Sequence, residues 1–526
     1  MTECLHTPFF AAALRHPDRM AVVDAERRLN YAQLAHRARL AAAHLEAAGV
    51  GRGDRVAVLL DRSAVTMAVW LGILSLGAVA VPFDMRWPMA RRRRLLEGLD
   101  LRAVVLEQPA TPEVSAIPLR FTPAWLASPI AARTTTPTDA GTPEAAEAAD
   151  NLACIFFTAG THGPPKGVCV THRATRDVVD WLVQETGLQP NDRVAALTAF
   201  TAEQSLFDLF ATLSAGATVV LLSQALMAQP RQLADMLERE AITALYTVPT
   251  VLSLLAGRGD LARRRLTGLR LLISSGEPFA GPAFAALQQA VPASVLHLHA
   301  YSTAETNLCI LSRFTGAESP PARLPLGRAR PGLALVGLPL ESPSLFAPGA
   351  VELCVAGPSV MSGYWGDVRD LAPHWWDDPS SGLRYFRTGD VVRQDSEALW
   401  HHLGRVDRPL LPDGRWVDMS EVELTLLGQP GVAHCAVSAA EPGSAYGGPL
   451  VAHIVPRPGQ DLAQLKLQLA ASCIETLPDH LQPQTYVMRG DLPLKASGRV
   501  DRHALELDLR DAAGARTPGE ADPSAG

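Results

Sequence analysis

The stretch from Asn151 to Gly167, N-L-A-C-I-F-F-T-A-G-T-H-G-P-P-K-G, gathers residue types that can hold a phosphate. An apolar run, Leu152 to Phe157, enters a loop carrying Thr158, Gly160, Thr161, Gly163, Lys166 and Gly167. Glycines let backbone N–H groups approach phosphate oxygens, hydroxyls donate hydrogen bonds, and a lysine adds a compact charge. The spacing does not fit a Walker A loop. The competing reading is an ordinary glycine turn after a strand. Lys166 stands out because only three of the 47 Lys+Arg residues are lysines: Lys166, Lys466 and Lys495. A chain this rich in arginine has reason to keep a lysine where its ammonium does what a planar guanidinium cannot.

The elements that position this loop follow a β-α-β rhythm. Residues Arg37 to Ala48 read as an alanine-rich helix, Gly49 to Asp54 as a turn, Arg55 to Leu60 as a strand, and Ser63 as the start of the next helix. That alternation predicts parallel sheets covered by helices. Gly49, Gly51 and Gly53 precede a strand instead of following one, so they read as a helix stop and turn. Val65 to Phe83 carries no charge and is long enough to cross a membrane. Its Gly77 and Ala78-Val-Ala-Val-Pro82 instead suggest the end of a buried helix and a short buried strand. Residues 109–150 read as a variable connector, and the tail 510–526 as disordered.

Composition narrows the class. The chain has 526 residues, enough for two to four domains at roughly 150 residues each. Hydrophobic residues make up 48% and charged residues 19%, a globular and cytoplasmic balance with no membrane partner expected. A net charge of −7 argues against a nucleic-acid partner held by a global basic field. The seven cysteines form no C-x-x-C pair, which argues against a zinc site. The N-terminus, MTECLHTPFF, lacks the basic-then-apolar pattern of a secretory signal.

The loop at 158–167 resembles the T-S-G-[ST]-T-G-x-P-K-G signature of adenylate-forming enzymes. That superfamily includes acyl-CoA synthetases, nonribosomal peptide synthetase adenylation domains and luciferases. Further stretches resemble its motifs in order along the chain. They are Leu29-Asn-Tyr-Ala-Gln-Leu34, Leu74 to Asp84, Ala300-Tyr-Ser-Thr-Ala-Glu-Thr306, Val351 to Gly357 with Ser362-Gly-Tyr-Trp365, Tyr385-Phe-Arg-Thr-Gly-Asp390, Gly404-Arg-Val-Asp407 and Leu492 to Arg502. The resemblance implies an α/β fold. A large domain over 1–406 would hold helix-covered parallel sheets and a small β-barrel, and a small, mobile α+β domain would span 407–509.

The resemblance also implies chemistry: a carboxylate attacks the α-phosphorus of Mg·ATP, and a thiol then displaces AMP. Thr158, Gly160, Thr161, Gly163 and Lys166 fall where the family holds phosphates. Gly276-Glu277-Pro278 and Tyr301 fall where it cradles adenine, with Tyr301 stacking, and Ser302 and Thr303 lie beside the AMP phosphate. Glu305 matches the Mg²⁺ ligand, Asp390 the carboxylate for both ribose hydroxyls, Arg405 a ribose contact and Asp407 the hinge. On the substrate side, Glu203 falls at the amine-binding aspartate. Gln204, Phe207, Tyr246, Ile273, Ser275, Ala300, Leu308 and Cys309 fall at the other pocket positions. Glutamate is one methylene longer than aspartate, which leaves α-, β- and imino acids open.

Several residues depart from the family pattern. The second-domain catalytic lysine is replaced by Arg499, with Lys495 four residues earlier as the alternative cation. Ala304 lacks the hydroxyl of the usual threonine, and Pro409 to Gly414 lacks the basic residues of the family loop. The leading expectation is a ligase that activates an amino acid and loads the phosphopantetheine thiol of a separate carrier protein, since no carrier domain follows Leu509. The alternatives are a CoA- or amide-forming ligase, and an impaired adenylation fold acting as a partner protein.

Overall fold

The structure is a computed structural model. It describes residues 4–87, 89–107, 114–126, 148–158, 166–316, 320–321, 323–340, 348–366, 374–406, 419–439, 449–477, 479–495 and 498–514. Two large sheets form the body. The first has nine strands, and its central run Met20–Val23, Thr218–Leu221, Arg193–Ala196, Ala244–Thr247, Leu271–Ser275 and Leu296–Thr303 is parallel. The second has seven strands and includes Arg55–Leu59, Val79–Pro82 and Leu152–Phe157. Such strands are buried on both faces, which accounts for their continuous apolar runs. Loops leaving the carboxyl ends of parallel strands are the usual ligand-binding edge of an open α/β sheet. The stretches after Phe157, Thr247, Ser275 and Thr303 all leave such ends.

Helices join the sheets through local signals. Asn30 and Gln33 form a reciprocal capping box, so the helix runs from Tyr31 to Ala47 and starts a turn and a half before the expected Arg37. Ser63 caps the helix Ala64–Ser75 through the Thr66 N–H at 3.2 Å. That helix has 12 residues, about 18 Å long and too short for a bilayer. The strand Val79–Pro82 follows it, so the uncharged stretch is a buried helix and strand. No helix among the described residues is long and apolar enough to cross a membrane. Gly72 lets this helix close on Tyr31–Ala47: a Cβ there would fall 2.6 Å from the Ala38 carbonyl oxygen.

Two expectations need correction. Part of the 109–150 connector is sheet, because Leu119–Phe121 pairs in parallel with Ala103–Leu106 and buries backbone hydrogen bonds there. Where the small barrel is expected, Ala334–Leu338, Val351–Ala356, Trp375–Asp377, Arg384–Gln394 and Trp400–Arg405 form an antiparallel sheet. Among the described residues its outer strands do not pair with each other. The tail starts later than expected. The last helix runs Arg502–Gly514, carried through Asp511 to Ala513 by alanines that favour helix.

Residues 419–514 form a separate α+β unit. Its three-stranded sheet orders Val432–Ala439, Leu450–Pro456 and Thr485–Met488, with its own core around Val422, Leu426 and Leu469. Gly498 presses this unit onto the large one. A Cβ there would fall 2.9 Å from both the Met227 sulfur and a Val251 methyl.

Candidate functional site

Asp390 lies on the strand Arg384–Gln394 and is buried. Its Oδ2 accepts from the Tyr301 hydroxyl at 2.5 Å, and its Oδ1 lies 3.2 Å from an Arg405 nitrogen and 3.3 Å from His402 Nε2. Burial opposes its ionisation, but the His402 hydrogen bond and the Arg405 charge prevail and hold the carboxyl below its ordinary value. His402 escaped the sequence reading. An Arg323 nitrogen donates to its Nδ1 at 3.4 Å, so its proton sits on Nε2 and points at Asp390. Tyr301 differs from the expected stacking platform. Its ring is buried beside Ile310, Leu353 and Val392, and its hydroxyl end meets Asp390.

The base of the phosphate loop closes through the Lys166 N–H donating to Thr158 Oγ1 at 3.0 Å. Gly160, Thr161 and Gly163 lie outside the described residues, as does Asp407. Lys166 Nζ lies 3.1 Å from His374 Nε2 and 4.8 Å from the Tyr364 ring centre. The Tyr364 hydroxyl donates to Glu305 at 2.8 Å. Tyr364 therefore joins the loop lysine to the carboxylate expected at Mg²⁺. A single carboxylate beside a phosphate-binding loop suits Mg²⁺, which is commonly held by one or two carboxylates plus substrate phosphates.

Two neighbours of this region turn elsewhere. Glu277 accepts from the Thr250 N–H at 3.1 Å and hydroxyl at 2.6 Å, at the start of the helix Pro249–Arg258. Its side chain thus serves a helix N-terminus. Thr303 holds the Thr306 N–H at 3.1 Å within a tight turn, so its hydroxyl is engaged by the backbone. Gly276 and Pro278 stay exposed at the strand end.

A small cavity of about 10 Å³ opens among Glu203, Gln204, Phe207, Tyr246, Ser302 and Leu308, backed by Val178, Leu182 and Asn307. The structure moves Ser302 from the nucleotide side to this cavity, where its hydroxyl donates to Glu203 at 3.0 Å. Tyr301 and Ser302 are neighbours on one strand, so alternation sends their side chains to different partners. Tyr246 and Ser275 share a hydrogen bond of 2.7 Å in the wall, and Ile273 and Ala300 lie in the core with Tyr246. Cys309 corrects the sequence reading. Strand alternation turns it away from the cavity into the core shared with Ile310, Leu326 and Leu353, where its thiol faces the Tyr301 carbonyl. Sequence matching missed Val178 and Leu182 because they come from the helix His172–Thr186, outside every quoted motif.

The two candidate cations of the small domain sit differently. Arg499 lies directly over Gly276, where a Cβ would fall 2.1 Å from its Nη2. Its Nε is buried without a hydrogen-bond partner among the described residues. Lys495 is half-buried. Burial and the nearby Arg499, Arg502 and Arg91 lower it below its ordinary value, against the pull of Asp501.

The profile of AMP-binding enzymes matches residues 9–365, and that of the AMP-binding enzyme C-terminal domain matches 421–499. The chain belongs to the AMP-binding enzyme family. Among its relatives is an L-proline--[L-prolyl-carrier protein] ligase of Pseudomonas fluorescens, 31% identical and covering 96% of this chain and 99% of that one. The AMB antimetabolite synthetase AmbB of Pseudomonas aeruginosa is 30% identical over 95% of this chain, which spans 38% of that longer protein. The crystal structure of the anthranilate CoA ligase AuaEII with anthranoyl-AMP is 21% identical, with a TM-score of 0.81 over 97% of this chain and 98% of that one. At that identity the likeness bears on the fold alone.

Proposed function

We propose that this enzyme activates an amino acid with ATP as an aminoacyl adenylate and transfers it to the phosphopantetheine thiol of a separate carrier protein. The observation that carries this reading is Glu203, a carboxylate held by Ser302 in a cavity whose other lining side chains carry no charge. A carboxylate placed there meets a substrate ammonium, which neutral acyl acids lack. The full-length relative named as a prolyl-carrier protein ligase supports the amino-acid class and the carrier acceptor.

The chain's own residues divide the work. Glu203 orients the amine and so places the substrate carboxylate for attack on the α-phosphorus, with pyrophosphate leaving. Asp390, with Arg405 and His402, forms the polar seat for the ribose. Lys166 stands at the polyphosphate. Glu305 is the residue that would hold Mg²⁺, which spreads phosphate charge when bound. Arg499, with its unpaired Nε above Gly276, supplies the cation that the family draws from lysine. The carrier thiol then attacks the acyl carbon and AMP leaves.

Intact-mass measurement of a holo carrier protein incubated with enzyme, ATP and an amino-acid panel tests this reading. The expected result is a mass gain equal to one aminoacyl group for one substrate or a narrow set. Glu203→Ala should lower kcat/KM for that amino acid about 10- to 100-fold, the worth of one charge-assisted hydrogen bond. Loading by unsubstituted acyl acids in preference to every amino acid contradicts the reading.

A further inference from the structure

Asn307 lines the same cavity, is 1% exposed, and falls outside the pocket positions drawn from the family resemblance. It opens the strand Asn307–Phe314 with φ of 54°, a left-handed conformation that asparagine tolerates better than most residues. Its amide has one possible orientation. Nδ2 donates to the Ser359 carbonyl at 2.8 Å, and a carbonyl can only accept, so the nitrogen must face it. Ser359 is itself fixed by its hydroxyl donating to the Thr306 carbonyl at 2.9 Å. The outcome is that Asn307 Oδ1 is buried with no hydrogen-bond partner among the described residues.

A buried acceptor left unpaired is costly, and native structures hold few of them. Two other polar side chains of this cavity are engaged, and the Gln204 amide also lines it. Ser302 serves Glu203, and Tyr246 serves Ser275. Val178, Leu182, Phe207 and Leu308 offer no donor. An ammonium brings up to three N–H donors, more than one glutamate oxygen uses.

We propose that Asn307 is a specificity-determining residue whose Oδ1 accepts a hydrogen bond from the substrate ammonium alongside Glu203. The proposal rests on the amino-acid activation reading and extends it. A substrate without nitrogen leaves the Asn307 oxygen unpaired and the Glu203 charge unmatched, and is rejected at two places instead of one.

The test compares Asn307→Gly with the wild type. Glycine keeps the left-handed backbone and removes the acceptor. Calorimetry is run with two acyl-sulfamoyl adenosines: one carries the best amino acid of the panel, the other the same acid without its nitrogen. The expected result is a 10- to 100-fold loss of affinity for the amino compound and less than a 3-fold change for the des-amino compound. In pyrophosphate exchange the amino-acid KM rises while the ATP KM holds. Should the glycine variant not fold, Asn307→Asp, which keeps an oxygen acceptor, should retain the wild-type preference for the amino compound to within a few-fold. Equal losses for both compounds, no loss for either, or a preference abolished in Asn307→Asp overturns the assignment. Failure of the wild type with every amino acid would instead overturn the activation reading, and this inference with it.

Discussion

At the scale of single residues, Asp390 and Asp208 show how burial can leave one carboxylate charged and another poised. Asp390 has three donors, and the pair His402–Arg323 fixes which ring nitrogen serves it. His402→Phe should raise the ATP KM about 10-fold in pyrophosphate exchange and leave the amino-acid KM unchanged, since the ring lies on the nucleotide side. Asp208 sits in a π-helical turn, Leu206–Ala211, close behind the cavity. Burial pushes it up to about 7, against a 2.5 Å hydrogen bond from Thr198 and the charge of buried Arg62. A native pKa above the unfolded one means the folded state holds a proton that the unfolded state has released. Asp208 therefore costs stability increasingly as pH rises from about 4 to about 7. Asp208→Asn should raise the melting temperature at pH 8, by an effect on the order of 1–4 kcal/mol, and leave it unchanged near pH 4. Melting curves at the two pH values check the sign. Neither His402 nor Asn307 was legible in the sequence. Their roles come from what tertiary contact leaves on each side of a ring or an amide, and no spacing encodes that. Asp390, Glu305 and Lys166 were legible as positions, but the role of Tyr364, which bridges Glu305 and Lys166, was not.

At the scale of elements, glycines mark where two segments must touch. Gly498 has φ of 81° and no room for a Cβ between Met227 and Val251. Gly498→Ala should lower pyrophosphate exchange about 100-fold by moving Arg499 off Gly276, because displacements near 1 Å carry costs of that order. Its melting curve should stay close to wild type, since the cores of both units lack this contact. The strands and helices from Asn151 onward were readable because apolar runs and caps are local signals. The helix start at Tyr31 was missed because its signal is the reciprocal Asn30–Gln33 bond, which looks like a polar loop until paired.

At the scale of the whole molecule, the small unit brings one cation to the large unit's catalytic edge. Arg499 reaches Gly276, and Arg258 meets Asp491 at 3.5 Å across the same boundary. The scarcity of lysine made this a choice between Arg499 and Lys495, and the packing favours Arg499. Arg499→Ala should reduce adenylate formation at least 10-fold more than Lys495→Ala, while both variants accept a synthetic aminoacyl adenylate for thiol transfer at rates near wild type. Single-turnover assays of the two half-reactions separate these outcomes.

The central claim is amino-acid activation through the Glu203 cavity. Its most direct measurement is ATP–pyrophosphate exchange by the purified chain across a panel of α-, β- and imino acids, each beside the same acid without nitrogen. The account predicts exchange with one amino acid or a narrow set, at least 10-fold above its des-amino partner. Exchange with the des-amino acids at equal or higher rates, or silence with every amino acid, would contradict it.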